Sequence, residues 1–456
     1  MKLFCTAILT PQGWLQNQTL DIVDGHINAI IDGCDSTAKH ARGPVIPGMV
    51  NCHSHAFQRA FAGFSEQGSE GQDSFWTWRK VMYKFLGQLT PEQCQIIARQ
   101  LYIEMLKAGY TRVAEFHYLH HDSNGERYAN IAEMSQQIFE AASSCGIGLT
   151  HLPVLYRYAG FGEQAPSHGQ RRFINDIEPF NELVSAAHQL STQYQNCNVG
   201  IAPHSLRATS AALIEQSVAH LHSLDPSAPV HIHIAEQQLE VQDSLAHSGA
   251  RPVQWLLDNI DVDKRWCLIH ATHLTAQERT AMARSGAVAG ICPTTEANLG
   301  DGIFPTCEYL EDGGALAIGS DSHISVNPIE ELRWLEYSQR MIKQQRALLA
   351  SAKTPSVGAN LWQLAARGGA QSSAQNSGEI AVGKAADLLV LDPQKLALYA
   401  NSSQYLMDST LFACRENPVA DVMVAGRWVI EEGRHALQVR SEREFASTLT
   451  TLAKTL

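Results

Sequence analysis

Apolar and polar positions change rhythm along this chain. In residues 1–47 they alternate in short runs. TLDIVDGHINAII (19–31) is two such runs around Asp24-Gly25, a pair that tolerates positive φ and so predicts a β-hairpin turn. The C-terminal part reads alike. ADLLVL (386–391) is a strand-like run before Pro393, and DVMVAGRWVIEEG (421–433) predicts strand, turn and strand around Ala425-Gly426. The opening run MKLFCTAILT is broken by Pro11-Gln12-Gly13 and has no small-residue cleavage site, so it reads as a strand and not a signal peptide.

The middle of the chain follows another pattern. Apolar, strand-like runs fall at 45–50, 111–116, 147–155, 198–202, 229–234, 266–270, 287–291 and 315–319. Helical periodicity separates most of them, as at 91–108, 127–145, 210–222, 275–284 and 329–347. Eight β-then-α units predict an α/β fold, a closed (β/α)₈ TIM-like barrel. A doubly wound open sheet would usually carry a glycine-rich phosphate turn after an early strand, and none is found. GEIAVGKA (378–385) does fit the spacing GxxxxGK. Ala385 follows instead of Ser or Thr, and ADLLVL reads as a strand instead of the helix a phosphate cradle needs.

Composition narrows the function classes. The 456 residues are 45% apolar and 18% charged, which suits a folded chain with a large core and excludes a disordered or fibrous one. The net charge is −12 with no basic stripe, which argues against nucleic acid or an anionic membrane as partner. No apolar run reaches the roughly 18 residues of a membrane span. Ten cysteines without a CxxC pair suggest reduced thiols and a cytoplasmic location. The 20 histidines cluster in short groups, which points to a His/carboxylate metal site.

In a barrel, chemistry gathers just past the C-terminal ends of the strands. After the first strand comes Asn51-Cys52-His53-Ser54-His55, whose two imidazoles share one face of an extended segment. After the fifth comes His231-Ile232-His233-Ile234-Ala235-Glu236. His233, nearer the strand end, is the expected ligand, and His231 the expected packed, hydrogen-bonded barrel residue. Glu236 is placed to bond a water beside the ion without ligating it. His270 ends the sixth strand, and Asp321 follows the eighth in GSDSH. All these strand ends converge on one mouth.

The order HSH, HIAE, IH and GSDSH resembles the amidohydrolase superfamily of metal-dependent barrel hydrolases. The resemblance implies a small β-sandwich domain built from both chain ends (1–47 and 378–456) around a metal-dependent barrel (48–377). GEIAVGKAADLLVLD resembles the segment in which the chain returns to that sandwich. Binuclear members generally use a bridging ligand, often a modified Lys, at the end of strand four. Here that strand ends Ala202-Pro203-His204-Ser205-Leu206-Arg207. One divalent ion is therefore expected on His53, His55, His233 and Asp321. Zinc suits three imidazoles and a carboxylate, and iron or manganese would also fit. The cytidine-type deaminase site, HxE with PCxxC, is absent.

Within the superfamily, NCHSHAFQRAFAG (51–63) and CPTTEANLGDGIF (292–304) resemble the formimidoylglutamate deiminases. This implies hydrolysis of N-formimidoyl-L-glutamate to N-formyl-L-glutamate and ammonia in histidine degradation. Such a substrate carries two carboxylates, and Arg reads a carboxylate bidentately. Arg207 after strand four and Arg79 in the long insertion after strand one suit that need. By resemblance, Gln58, Tyr118 and His204 join them as substrate contacts. Glu236, His270 and Asp321 are then the expected catalytic residues. The rival within the fold is an aminohydrolase of a purine, triazine or nucleoside, whose pocket would need planar amide readers and stacking groups more than two Arg. A barrel that held the ion only structurally would have no use for Glu236 and His270. A homodimer is expected. His117, His120, His121, Glu296 and Asn298 carry no assigned role.

Overall fold

A computed structural model describes residues 1–63, 66, 82–396 and 402–454. The N-terminal strands are β1 (Lys2–Thr10), β2 (Gly13–Val23), β3 (His26–Asp32), β4 (Lys39–His40) and β5 (Val45–Pro47). Next come β6 (Met49–Ser54), β7 (Tyr110–His117), β8 (Gly148–Leu155), β9 (Cys197–Val199), β10 (Ala202–Pro203), β11 (Val230–Ile234), β12 (Trp266–His270), β13 (Val288–Ile291) and β14 (Ala315–Ile318). The C-terminal strands are β15 (Leu388–Leu391), β16 (Val419–Val424) and β17 (Arg427–Ile430).

Strands from the two chain ends share one eight-stranded sheet in the order β17-β16-β15-β5-β1-β2-β3, with β4 beside β1. Its buried face holds Leu3, Ile8, Leu20, Ile27, Val45, Leu388 and Met423. The Asp24-Gly25 turn has both residues at positive φ, +47° and +80°, as does Ala425-Gly426 at +45° and +76°. The two tips also touch. A Cβ on Gly25 would lie 2.8 Å from the Ala425 carbonyl oxygen, so the turn glycine serves packing as well as conformation.

The strands of the middle region form two parallel sheets, β10-β8-β7-β6 with β9 beside β8, and β11-β12-β13-β14. Isolated bridges Ile201–Val230 and Ser205–His233 join one pair of edges, and Ser54–Asp321 joins the other. These seams bring the ends of the first, fourth, fifth and eighth expected strands together.

The structure corrects the sequence reading in three places, one being the run 198–202, which divides into β9 and β10. The run 45–50, expected as one strand, divides at Gly48. Val45–Pro47 pairs with β15, while Met49 begins the parallel set against Tyr110. A Cβ at Gly48 would sit 2.4 Å from Thr111 Cγ2, so only glycine lets the chain cross there. The strand-only reading of the C-terminal part is also corrected, because helices Ser403–Phe412 and Gln438–Ala453 accompany the three strands. Phe445, Leu449 and Leu452 recur at helical spacing and pack with Cys94 and Ile97 of helix Pro91–Ala108. Arg99 pairs with Glu444 across the same contact. The decoy at 378–385 leads through a turn into β15, with no helix behind it.

Candidate active site

Strand β6 ends in His53 and Ser54, and His55 follows as the chain turns into the short 3-10 helix Ala56–Phe61. The Asp321 amide donates to the His53 carbonyl at 3.0 Å, tying the ends of β6 and β14 together. The four expected ligands consequently meet. His53 Nε2 lies 3.0 Å from His233 Nε2, and Asp321 Oδ1 lies 3.4 Å from both His53 Nε2 and His55 Nε2.

Hydrogen bonds decide which nitrogens face inward. His55 donates Nδ1–H to the Phe116 carbonyl at 2.8 Å, and His233 donates Nδ1–H to the His204 carbonyl at 3.1 Å. Burial holds His53 and His233 well below the ordinary histidine pKa and brings His55 to about 3. The rings are therefore neutral, and Nε2 of His55 and His233 carries a lone pair aimed at the cluster. Lone-pair nitrogens crowded beside a carboxylate repel one another unless a cation sits between them. Ligand atoms 3.0–3.4 Å apart suit donors about 2.0–2.2 Å from one shared ion, so the residues fit a divalent metal.

His270 closes the other side. Its Nε2 faces Glu236 Oε1 at 3.9 Å and Asp321 Oδ2 at 3.8 Å, while Nδ1 donates to Glu296 Oε1 at 3.2 Å. Burial opposes a charge on this ring, but Glu236, Glu296 and Asp321 overcome it and raise His270 to about 10. Burial pushes the Glu236 carboxyl upward, as suits a group that takes and returns a proton. His270, Ala271 and Asp321 all have positive φ, at +66°, +48° and +44°, so the strand ends bend sharply to aim these groups.

A cleft of about 520 Å³, counting space open to solvent, rises from the cluster. Gln58, Tyr118, His204 and Arg207 line it, together with Glu236, His270 and Asp321. Gln58 Nε2 donates to the Tyr118 hydroxyl at 3.3 Å, whereas Gln58 Oε1 and Arg207 Nε are buried without a hydrogen-bond partner among the described residues. Such orphaned atoms are costly unless a ligand satisfies them. Arg207 Nη1 faces Glu240 Oε2 at 3.5 Å. Arg79 lies outside the described residues.

Sequence reasoning missed several groups. Glu296 holds His270 and also accepts from the Cys292 amide at 2.9 Å. It stands in the first turn of the short helix Pro293–Leu299 after β13, where a lone carboxylate carries no sequence signal. Glu115 accepts from Ser54 Oγ at 2.6 Å, the Ala56 amide at 2.6 Å and Tyr102 OH at 3.0 Å, and burial raises it to about 7. It is a buried strand residue with no sequence signal. His231 is buried on β11 and donates Nε2–H to the Ser372 carbonyl at 2.7 Å. His117, His120 and His121 donate to backbone carbonyls of Leu119, Val154 and Ile174, each at 2.9 Å. Asn298 Nδ2 donates to Glu66 Oε1 at 3.0 Å.

Neutral imidazoles and a carboxylate at parallel-strand ends, with the Glu236 carboxyl and the His270 ring beside them, fit the chemistry of a metal-dependent hydrolase. Residues 45–429 match the Amidohydrolase family, and the chain belongs to that metal-dependent family. It is 51% identical over 449 residues to formimidoylglutamate deiminase of Pseudomonas aeruginosa, covering 98% of each chain. Its identity to 8-oxoguanine deaminase of the same organism is 26% over 445 residues, covering 94% of this chain and 92% of that one. An amidohydrolase from Brucella melitensis superposes with a TM-score of 0.93 at 44% identity, over 99% of each chain. A zinc-bound adenosine deaminase from Xanthomonas campestris, at 21% identity, shares the fold with a TM-score of 0.81 over 99% of this chain and 98% of that one.

Proposed function

We propose that this chain hydrolyses N-formimidoyl-L-glutamate to N-formyl-L-glutamate and ammonia, as a cytoplasmic step of histidine degradation. The observation that carries the reading is one cleft in which a neutral histidine cluster, a Glu236–His270 pair and the buried, incompletely satisfied Arg207 converge. Near-full-length identity to a formimidoylglutamate deiminase supports the same substrate.

His53, His55, His233 and Asp321 would hold one divalent ion, most suitably zinc. Such an ion supplies Lewis acidity and lowers the pKa of water from 15.7 to about 7. Glu236 takes a proton from the attacking water as its oxygen bonds to the formimidoyl carbon, and delivers that proton to the imine nitrogen. His270 donates a hydrogen bond to the oxygen as charge develops there. Asp321 accepts the remaining hydroxyl proton and passes it to the leaving nitrogen. The carbon–nitrogen bond breaks, the carbonyl forms and ammonia departs. Arg207 and Arg79 bind the two carboxylates, with Gln58, Tyr118 and His204 completing the contacts.

The same reading divides the chain into an end domain, a β-sandwich of 1–47 and 378–456, and a closed (β/α)₈ barrel of 48–377. The bridges at both sheet seams support closure. Ten free cysteines suit a reducing compartment, and no helix among the described residues is long and apolar enough to cross a membrane. Exposed Trp334, Tyr337, Met341 and Ile342 on helix Pro328–Lys343 support a homodimer.

Product analysis on the zinc-loaded enzyme tests the function. N-formyl-L-glutamate and ammonia in equal amounts are expected. Formamide plus glutamate would overturn the bond assignment. Turnover of a purine or triazine with none of formimidoyl-glutamate would overturn the substrate.

A further inference from the structure

Glu240 has no part in the proton transfers above, yet it is buried and fully engaged. It lies in the first turn of helix Gln238–Ser248. One carboxylate oxygen accepts from the Ala235 amide at 3.2 Å. The other accepts from the Glu236 amide at 3.1 Å and faces Arg207 Nη1 at 3.5 Å. Ala235 is the residue that turns the chain between β11 and Glu236, and it does so at φ +49°, a conformation unfavourable for a residue with a Cβ. Arg207 reaches the same carboxylate from a different loop, the one after β10.

One negative group therefore ties a strained turn to a cation. Without it, two buried amide donors and a guanidinium would lose their shared acceptor. We propose that Glu240 is a positioning residue that sets the Glu236 carboxylate for proton transfer and holds Arg207 towards a substrate carboxylate. This rests on the substrate reading above. A buried ion pair that only supported the fold would give no kinetic signature tied to Arg207.

The test uses the zinc-loaded enzyme and Glu240→Gln, alone and combined with Arg207→Met. Gln keeps the shape but loses the charge and one acceptor oxygen. In the single variant, kcat for N-formimidoyl-L-glutamate should fall about tenfold or more and KM should rise about tenfold. With Arg207→Met present, the KM effect should vanish relative to Arg207→Met alone, while the kcat loss persists. Hydrogen exchange at the Ala235 and Glu236 amides should quicken, with distant segments unchanged. Constants within twofold of wild type, an equal KM factor in both backgrounds, or faster exchange throughout the chain would each overturn the proposal. If wild type does not turn over the compound, the substrate reading falls separately. The exchange measurement then decides: local loss of protection supports the Glu240 role and unchanged protection overturns it.

Discussion

Two groups of buried histidines sit on neighbouring strands of this protein and do opposite things. His53, His55 and His233 cluster at the strand ends, and their ligand nitrogens converge. His117, His120 and His151 lie nearby, with burial likewise holding each below the ordinary histidine pKa. The difference is where the unoccupied ring nitrogens lie. In the first group, backbone carbonyls take Nδ1–H of His55 and His233 and leave Nε2 free. In the second, Nε2 is taken, by carbonyls for His117 and His120 and by the Ser135 hydroxyl, at 2.9 Å, for His151, and each Nδ1 is left without a partner among the described residues but does not meet the others at one point. Burial, residue type and a free ring nitrogen thus do not mark a candidate ligand; convergence of the free nitrogens does.

The largest effect should come from emptying the first group. Chelation is expected to abolish turnover, and one equivalent of divalent ion to restore it. Elemental analysis finding two tightly held ions per chain would break the single-ion assignment. Next is Glu236→Gln, which keeps the shape beside His270 but removes the carboxyl proposed to carry the proton. Its kcat should fall about 10²–10⁴-fold with metal content unchanged. Near-normal kcat would remove Glu236 from the chemistry.

Arg207→Met should lower kcat/KM about tenfold to a hundredfold, since a charge-assisted contact contributes about 1.5–3 kcal/mol. A mono-carboxylate analogue lacking the group that Arg207 reads should be less sensitive. Equal loss on both compounds would assign Arg207 to the fold instead of recognition.

The smallest effect belongs to the second group and reads on stability. Burial lowers His151 to about 3, so between pH 6.5 and about 3 the unfolded chain binds a proton there that the folded chain does not. Stability should therefore be full above pH 6.5 and fall as pH drops through that window, by up to about 1.4 kcal/mol per pH unit for this group. His151→Gln should flatten the slope of urea midpoint against pH while leaving kcat intact. A fall in kcat would place His151 with the first group.

Much of the site was legible because parallel strand ends impose a rule on position. His53, His55, His233, His270 and Asp321 each stand where a strand runs out, and they meet in the structure. Glu296, in the short helix Pro293–Leu299 after β13, carries no such signal, because a lone carboxylate in a helix's first turn resembles any solvated charge until His270 is seen against it. Glu240 was less accessible still, since its partner Arg207 comes from another loop. In the fold, the division at Gly48 was hidden inside one apolar run, as only Thr111 across the gap shows why a side chain cannot stand there. The C-terminal helix was missed because its apolar residues are sparse among polar ones, and their burial depends on helix Pro91–Ala108 being in place.

The sequence by itself determined the alternation of strands and helices, the Asp24-Gly25 and Ala425-Gly426 turns, and the residue types offered at each strand end. Those follow from local periodicity, from φ tolerance and from the fixed direction of a side chain on a strand. Only the tertiary structure decided which imidazole nitrogen faces the cluster, which carboxylate orients His270 and which one ties Arg207 to Glu236. Those choices depend on partners brought in from distant segments, and a hydrogen bond's direction exists only once both of its ends are in place.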